Sequence, residues 1–228
     1  MIAVVIPACN EAETIGACLR SVCNACEWRG FRGEPVAVVV VLDACTDATS
    51  LIARRFGVTT LACTARTVGH ARALGANWAI DHGARWLAFT DADTTVAPDW
   101  IAMQLALEAD AVCGTIAVQD WGHYGARMER HFRATYTDAD DHRHIYGANL
   151  GVSANAYRKA GGFRALETSE DVALVAAVLA HGASVAWSSA PRVVTSARQV
   201  YRAPGGFGAT LARIDAQAAW VDAAALNA

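Results

Sequence analysis

The chain has 228 residues, 54% of them hydrophobic and 18% charged, with a formal net charge of −3. That balance excludes a disordered chain and gives enough length for a substantial core. A single lysine, Lys159, and no basic run disfavour a nucleic-acid-binding surface, and no apolar run approaches the ~20 residues of a transmembrane segment.

No charged n-region precedes an apolar h-region, so the expectation is a cytoplasmic protein. Seven cysteines, an odd number, fit free thiols in a reducing compartment. Cys23 and Cys26 form a lone CxxC with no second pair. Small apolar packing accounts for them better than zinc or redox chemistry.

In chain order, residues 2–6 are β-branched and apolar and predict a buried strand that Pro7 stops. Asn10-Glu11-Ala12-Glu13 then opens a helix with acids in its first turn, and Ile15, Cys18, Leu19 and Val22 give it one apolar face. Residues 27–35 read as a loop. Residues 36–42 are a second strand, apolar on both alternating faces, as a parallel strand covered on two sides is. Asp43 to Asp47 is a polar exit turn, with Thr46 or Asp47 placed to cap a helix over 48–56.

A short third strand follows at 58–61, then a helix over 70–82 that Gly83 terminates. The fourth strand, 86–90, runs straight into Asp91-Ala92-Asp93. Burying unpaired charge is costly, so two acids at a strand end belong at its solvent exit. On an extended chain, residues two apart face the same way, which lets both carboxylates meet one hard cation. The other reading is a solvated acidic turn.

Strands alternate with helices through the first 95 or so residues, which predicts a parallel sheet flanked by helices. Ligands of such sheets bind beyond the carboxyl ends of the strands. That rule lines up residues 7–11, 43–47 and 91–93 on one rim. The second half is less regular: helices at 99–107, 127–135, 155–160, 171–181 and 208–225, strands near 110–118, 147–153 and 185–187. Residues 137–144 (TDADDHRH) read as a mobile loop or lid, with zinc on His142 and His144 with Asp140 or Asp141 as the alternative.

There is no GxxxxGK[ST] loop, and the first strand exit reads PACNEA instead of GxGxxG, which disfavours an NTPase or a dinucleotide-dependent dehydrogenase. Six ordered blocks are present: VVIPACNEAETIGACLRSV (4–22), VVVVLDACTDAT (38–49), GHARALGANWAI (69–80), WLAFTDADTTV (86–96), YGANLGVSANAYRKAGGF (146–163) and TSEDVALVAAVLAHGASVAW (168–187). In this order and spacing the chain resembles the family 2 glycosyltransferases of the GT-A fold.

That resemblance implies an α/β fold, a Rossmann-like, mostly parallel sheet flanked by helices in one compact domain of two abutting halves. Residues 1–96 would bind the nucleotide sugar, and 97–228 would bind the acceptor and carry catalysis. It implies that Asp91 and Asp93 are the DXD motif holding Mg2+ or Mn2+ on a nucleoside diphosphate, Asp93 as the more direct ligand. Pro7, Ala8, Asn10 and Glu11 match the first nucleotide-contacting loop, and Asp43 the acid that reads nucleobase or ribose. Ala71, Ala92 and Arg198 join the donor site, Arg198 as a partner of the diphosphate.

Some relatives place a metal-binding His near Arg198; none stands here. Glu170-Asp171 matches the ED motif, with Asp171 as catalytic base, although Thr168 and Asp171 also read as a capping pair. The expected activity is metal-dependent, inverting transfer of a sugar from a UDP- or GDP-linked donor to an acceptor hydroxyl. Beyond donor and acceptor no nucleic-acid partner and no transmembrane segment are expected, and a homodimer is allowed. A silent nucleotide-sugar-binding protein and a sugar-phosphate nucleotidyltransferase are the alternatives.

Overall fold

A computed structural model describes residues 1–199 and 206–225, with side chains through residue 216. In chain order the elements are β1 (Ile2–Ala8), α1 (Ile15–Cys26), β2 (Val36–Asp43), α2 (Thr49–Arg55), β3 (Thr59–Cys63), α3 (Val68–Asp81) and β4 (Trp86–Phe89). There follow β5 (Thr95–Val96), α4 (Trp100–Ala106), β6 (Ala111–Gly114), α5 (Gly125–Thr135), β7 (Leu150–Ser153) and α6 (Ala154–Lys159). The chain closes with α7 (Glu170–Ala180), β8 (Val185–Ser188), β9 (Val193–Val194) and α8 (Phe207–Ala225).

One seven-stranded sheet has the order β3-β2-β1-β4-β7-β6-β8, and β5 pairs with β9 in a small second sheet. In the large sheet β1 runs parallel to β2 and β4, β2 to β3, and β6 to β8, while β7 is antiparallel to both its neighbours; β5 and β9 are antiparallel in the small one. The large sheet is thus mostly parallel, and strands from both halves of the chain build it.

Period-2 alternation places β1 in two cores at once. Ile2, Val4 and Ile6 pack with Leu19 and Val22 of α1 and Trp100 and Ile101 of α4. Ala3 and Val5 face the other way, with Ala76 and Ala79 of α3 and Leu174 and Val178 of α7. A strand buried on both faces reads as the continuous apolar run seen in the sequence. α3 lies very close to the sheet: a Cβ at Gly75 would sit 2.5 Å from Val5 Cγ1 and 3.0 Å from Val41 Cγ2. Gly75→Ala is therefore expected to destabilise the fold by about 2 kcal/mol, a Tm drop of about 4–8 °C, despite the better helix propensity of Ala. An unchanged Tm would show that α3 can back away from the sheet.

Several boundaries differ from the sequence reading for physical reasons. Pro7 does not end β1; it pairs opposite Val41. Val5 accepts the Thr90 N–H, so Pro7, two residues on, turns its missing donor to the same side, where the β4 ladder has already ended at Phe89. α1 starts at Ile15 and not at Asn10, because residues 11–14 form a turn in which the Glu11 carbonyl accepts from Thr14 and Ile15. Neither Thr46 nor Asp47 is the N-cap of α2; Ala48 is, without a side-chain cap, while Asp47 stands one residue before it and its Oδ1 accepts from the Thr49 N–H at 3.0 Å.

The 137–144 segment is pinned and not loose. Asp138 accepts from Thr115 at 2.7 Å, Asp140 from Ser188 and Ser189 at 2.8 and 2.9 Å, and His144 stacks on Tyr136. Its polar residues serve as hydrogen-bond partners for β8 and the β6 exit, which composition alone cannot distinguish from a solvated loop. Among the described residues, no helix is long and apolar enough to cross a membrane.

Candidate active site

The carboxyl ends of β1, β2 and β4 open onto one rim. Past Phe89 the chain turns: the Thr94 N–H closes on the Asp91 carbonyl at 3.0 Å. Ala92, between the two acids, points into the core and is 2% exposed. The acids therefore do not share one extended face, as strand alternation implies, but reach two different arginines. Asp91 Oδ1 lies 2.6 Å from Arg72 Nη2, and Asp93 Oδ2 lies 3.2 Å from Arg198 Nη2.

Arg198 arrives from the far end of the chain. β5 pairs with β9 through Thr95 and Val194, and the Thr94 and Thr195 hydroxyls bond at 2.9 Å. That small sheet carries Arg198 across to Glu11, whose two oxygens accept from Nη1 at 2.9 and 2.8 Å. Asp93 is the strained acid of the group. Burial, and then repulsion from Asp91 and Glu11, push its carboxyl up to about 6 even though Arg198 pulls the other way.

α7 brings Glu170 and Asp171 to the same rim. Its N-terminus is not the capping pair expected from Thr168: the N-cap is Ser169, in a left-handed conformation with φ of 61°, and no side chain caps it. Glu170 turns inward, 4% exposed, and pairs with Arg72 Nη1. Burial raises its carboxyl, and Arg72 opposes that rise. Asp171 stays half-buried, and its two oxygens accept from the Gly147 and Val172 N–H groups, each at 2.8 Å. A carboxylate held by two backbone donors keeps free lone pairs for a proton.

The remaining rim residues serve as framework. Asp43 is buried and accepts from the Arg66 and Thr67 N–H groups at 2.9 and 3.0 Å, tying β2 to the loop before α3. Asn10, with φ of 53°, accepts from the Thr46 and Asp47 N–H groups at 2.7 and 3.2 Å. The Ala8 carbonyl accepts from the Cys45 thiol at 3.3 Å. Ala71 packs under the sheet with Val39 and Val41, so that part of α3 is core while the next residue, Arg72, reaches the acids.

Arg72 and Gly147 were not singled out by the sequence. The signal was present: Arg72 shares the inward stripe of α3 with Gly75, Ala76 and Ala79, where a cation survives only if matched. Asp91, Asp93 and Glu11 are hard oxygen donors, and Asp93 is desolvated beyond what Arg198 offsets. Among the described residues no three His, Cys, Asp or Glu side chains are grouped to hold a metal, and His142 and His144 find no third ligand. The acids suit a cation that takes one or two carboxylates and completes its shell with water and phosphate oxygens, as Mg2+ does.

The same architecture occurs in solved structures. S. aureus TarS 1-349 in complex with UDP-GlcNAc superposes with a TM-score of 0.66 at 16% identity, over 90% of this chain and 61% of that one. Mannosyltransferase PcManGT from Pyrobaculum calidifontis, in complex with GDP-Man and Mn2+, gives 0.64 at 21% identity, over 87% and 57%. A mycobacterial protein gives 0.59 at 16% identity, over 88% and 68%. The chain thus spans about three fifths of the first two, and at such identities the likeness concerns the fold, that of the GT-A glycosyltransferases. No curated protein matches the sequence. The family model "Glycosyl transferase family 2" matches residues 3–164, which contain β1 to β4, the acidic turn, Arg72 and Gly147. With most of its length under that model and the GT-A sheet beneath it, the chain belongs to glycosyl transferase family 2.

Proposed function

We propose that this chain transfers a sugar from a UDP- or GDP-linked donor to an acceptor hydroxyl, with inversion, by a single displacement. The observation that carries the reading is the convergence of two acid pairs: Asp91-Asp93 behind β4 and Glu170-Asp171 at the start of α7, joined by Arg72. The first pair has the oxygen donors to hold a divalent cation against a leaving diphosphate; the second places one carboxylate to take a proton. The neighbours solved with UDP-GlcNAc and with GDP-Man and Mn2+ support a nucleotide-sugar donor.

In this reading residues 1–96 bind the donor and 97–228 supply the acceptor side and the base. Pro7, Ala8, Asn10, Glu11 and Asp43 shape the nucleotide crevice, with Ala71 and Ala92 packed in the core beneath it. Asp93, with Asp91, would hold Mg2+ or Mn2+, which when bound supplies positive charge to the departing diphosphate. Arg198 leaves Glu11 and Asp93 to pair with a phosphate oxygen, for which its planar fork is suited. Asp171 removes the acceptor hydroxyl proton while that oxygen bonds to the anomeric carbon. The bond from the anomeric carbon to the diphosphate breaks, and the nucleoside diphosphate leaves.

Incubation with UDP- and GDP-sugars, Mn2+ and a panel of hydroxyl acceptors should release nucleoside diphosphate in step with product. Binding of a donor with no release from any would instead assign a silent binder. Pyrophosphate release from a nucleoside triphosphate and a sugar phosphate would assign a nucleotidyltransferase.

A further inference from the structure

Arg72 is 3% exposed, and its two terminal nitrogens go to acids from opposite ends of the site, Nη2 to Asp91 and Nη1 to Glu170. A third neighbour is backbone. A Cβ at Gly147 would collide with Arg72 Cζ and both Nη atoms, so Gly147 lies pressed against the guanidinium. The Phe163 ring stands 5.9 Å from Cζ. Gly147 in turn donates its N–H to Asp171 Oδ2 at 2.8 Å. An unbroken line of contact therefore runs from Asp91 through Arg72 and Gly147 to Asp171.

Resting on the reading of Asp171 as base, we propose that Arg72 is a positioning residue for transfer, fixing the leaving-group acid Asp91 and the base Asp171 in one geometry. A guanidinium is a rigid plane with donors in a fixed fork, so the place of Asp91 sets the place of Glu170 and of the Gly147 backbone. The Gly147 N–H then sets the direction of the Asp171 carboxylate. Lysine keeps the charge but is a single point on a flexible stem; it cannot span both acids or press on Gly147 as the plane does. Arg72 touches neither the donor nor the acceptor in this account. It acts through the groups that do.

The test compares wild type with Arg72→Lys, Gly147→Ala and the double variant. It reads kcat with the best donor, the Kd of UDP or GDP with Mn2+ by calorimetry, and Tm. Arg72→Lys should lower kcat about 100-fold, the scale of a misplacement of about 1 Å, while the Kd stays within about fivefold. Gly147→Ala should show the same split, with a lower Tm. Adding Arg72→Lys to Gly147→Ala should recover Tm by relieving the collision and leave kcat low, which a purely packing role would not do. Should Arg72→Lys not fold, Gly147→Ala alone decides by the same split.

An Arg72→Lys enzyme within threefold of wild-type kcat would overturn the inference. So would a loss of kcat and nucleotide binding in equal proportion. Wild type giving no transfer with any UDP- or GDP-sugar would remove the functional reading itself, and the inference with it.

Discussion

Asp171→Asn is expected to abolish transfer, with kcat down about 10²- to 10⁴-fold, while donor binding persists. The residues that would hold the donor come from β1 and the turn after it, the end of β2, the turn after β4 and the segment after β9, whereas Asp171 stands on α7. Asn has nearly the same shape, but its amide nitrogen cannot accept a hydrogen bond. One of the two N–H groups, that of Gly147 or of Val172, therefore loses its acceptor, at a cost of about 1–3 kcal/mol. That local cost leaves the fold standing, so calorimetric binding of the nucleotide and a cooperative melt accompany the dead variant. Normal turnover by Asp171→Asn would place the base elsewhere. Glu170 is a poor substitute candidate, because it is buried and committed to Arg72.

Asp93→Asn should have two effects of opposite sign. Burial and the neighbouring acids lift Asp93 from 3.8 to about 6. Between pH 4 and 6 the folded chain therefore holds a proton that the unfolded chain has lost, so stability falls as pH rises through that window. Above pH 6 the whole cost, about 3 kcal/mol, is present. Asn does not titrate. In chelator, its Tm advantage over wild type should grow by about 6–12 °C between pH 4 and pH 7. With Mn2+ and UDP or GDP the order reverses, since the wild type gains ligand stabilisation and the variant, lacking the carboxylate, does not. A Tm difference flat with pH would mean that Asp93 ionises as an ordinary surface acid. Equal nucleotide binding by both proteins in Mn2+ would remove Asp93 from the metal's coordination shell.

The sheet was readable because its strands are short apolar runs bounded by polar turns, and a strand covered on both faces leaves little else to write. Pro7 shows the limit: the rule that proline stops a strand depends on whether a neighbour needs its N–H, and β4 has already ended there. The acids of the rim were legible as residues but not in arrangement. Alternation put Asp91 and Asp93 side by side on an extended chain, whereas the Thr94–Asp91 turn bond sends them to separate arginines. The Arg198 contacts depend on the pairing of two-residue strands nearly 100 positions apart, which no local pattern encodes. Arg72 left a trace, a charge on an inward helical stripe, but its meaning required Glu170 and Gly147 to be in place. The acidic 137–144 segment looked mobile because polarity alone does not tell a solvated loop from one whose carboxylates cap β8 and the β6 exit.

The most direct measurement of the central claim is calorimetry of the unmodified protein with UDP and with GDP, in Mn2+ and again in EDTA. One of the two nucleotides should bind in Mn2+ and lose at least about tenfold in affinity in EDTA, each factor of ten being about 1.4 kcal/mol. Failure of both to bind, or binding that EDTA leaves unchanged, would contradict an acidic rim that holds a nucleoside diphosphate through a divalent cation.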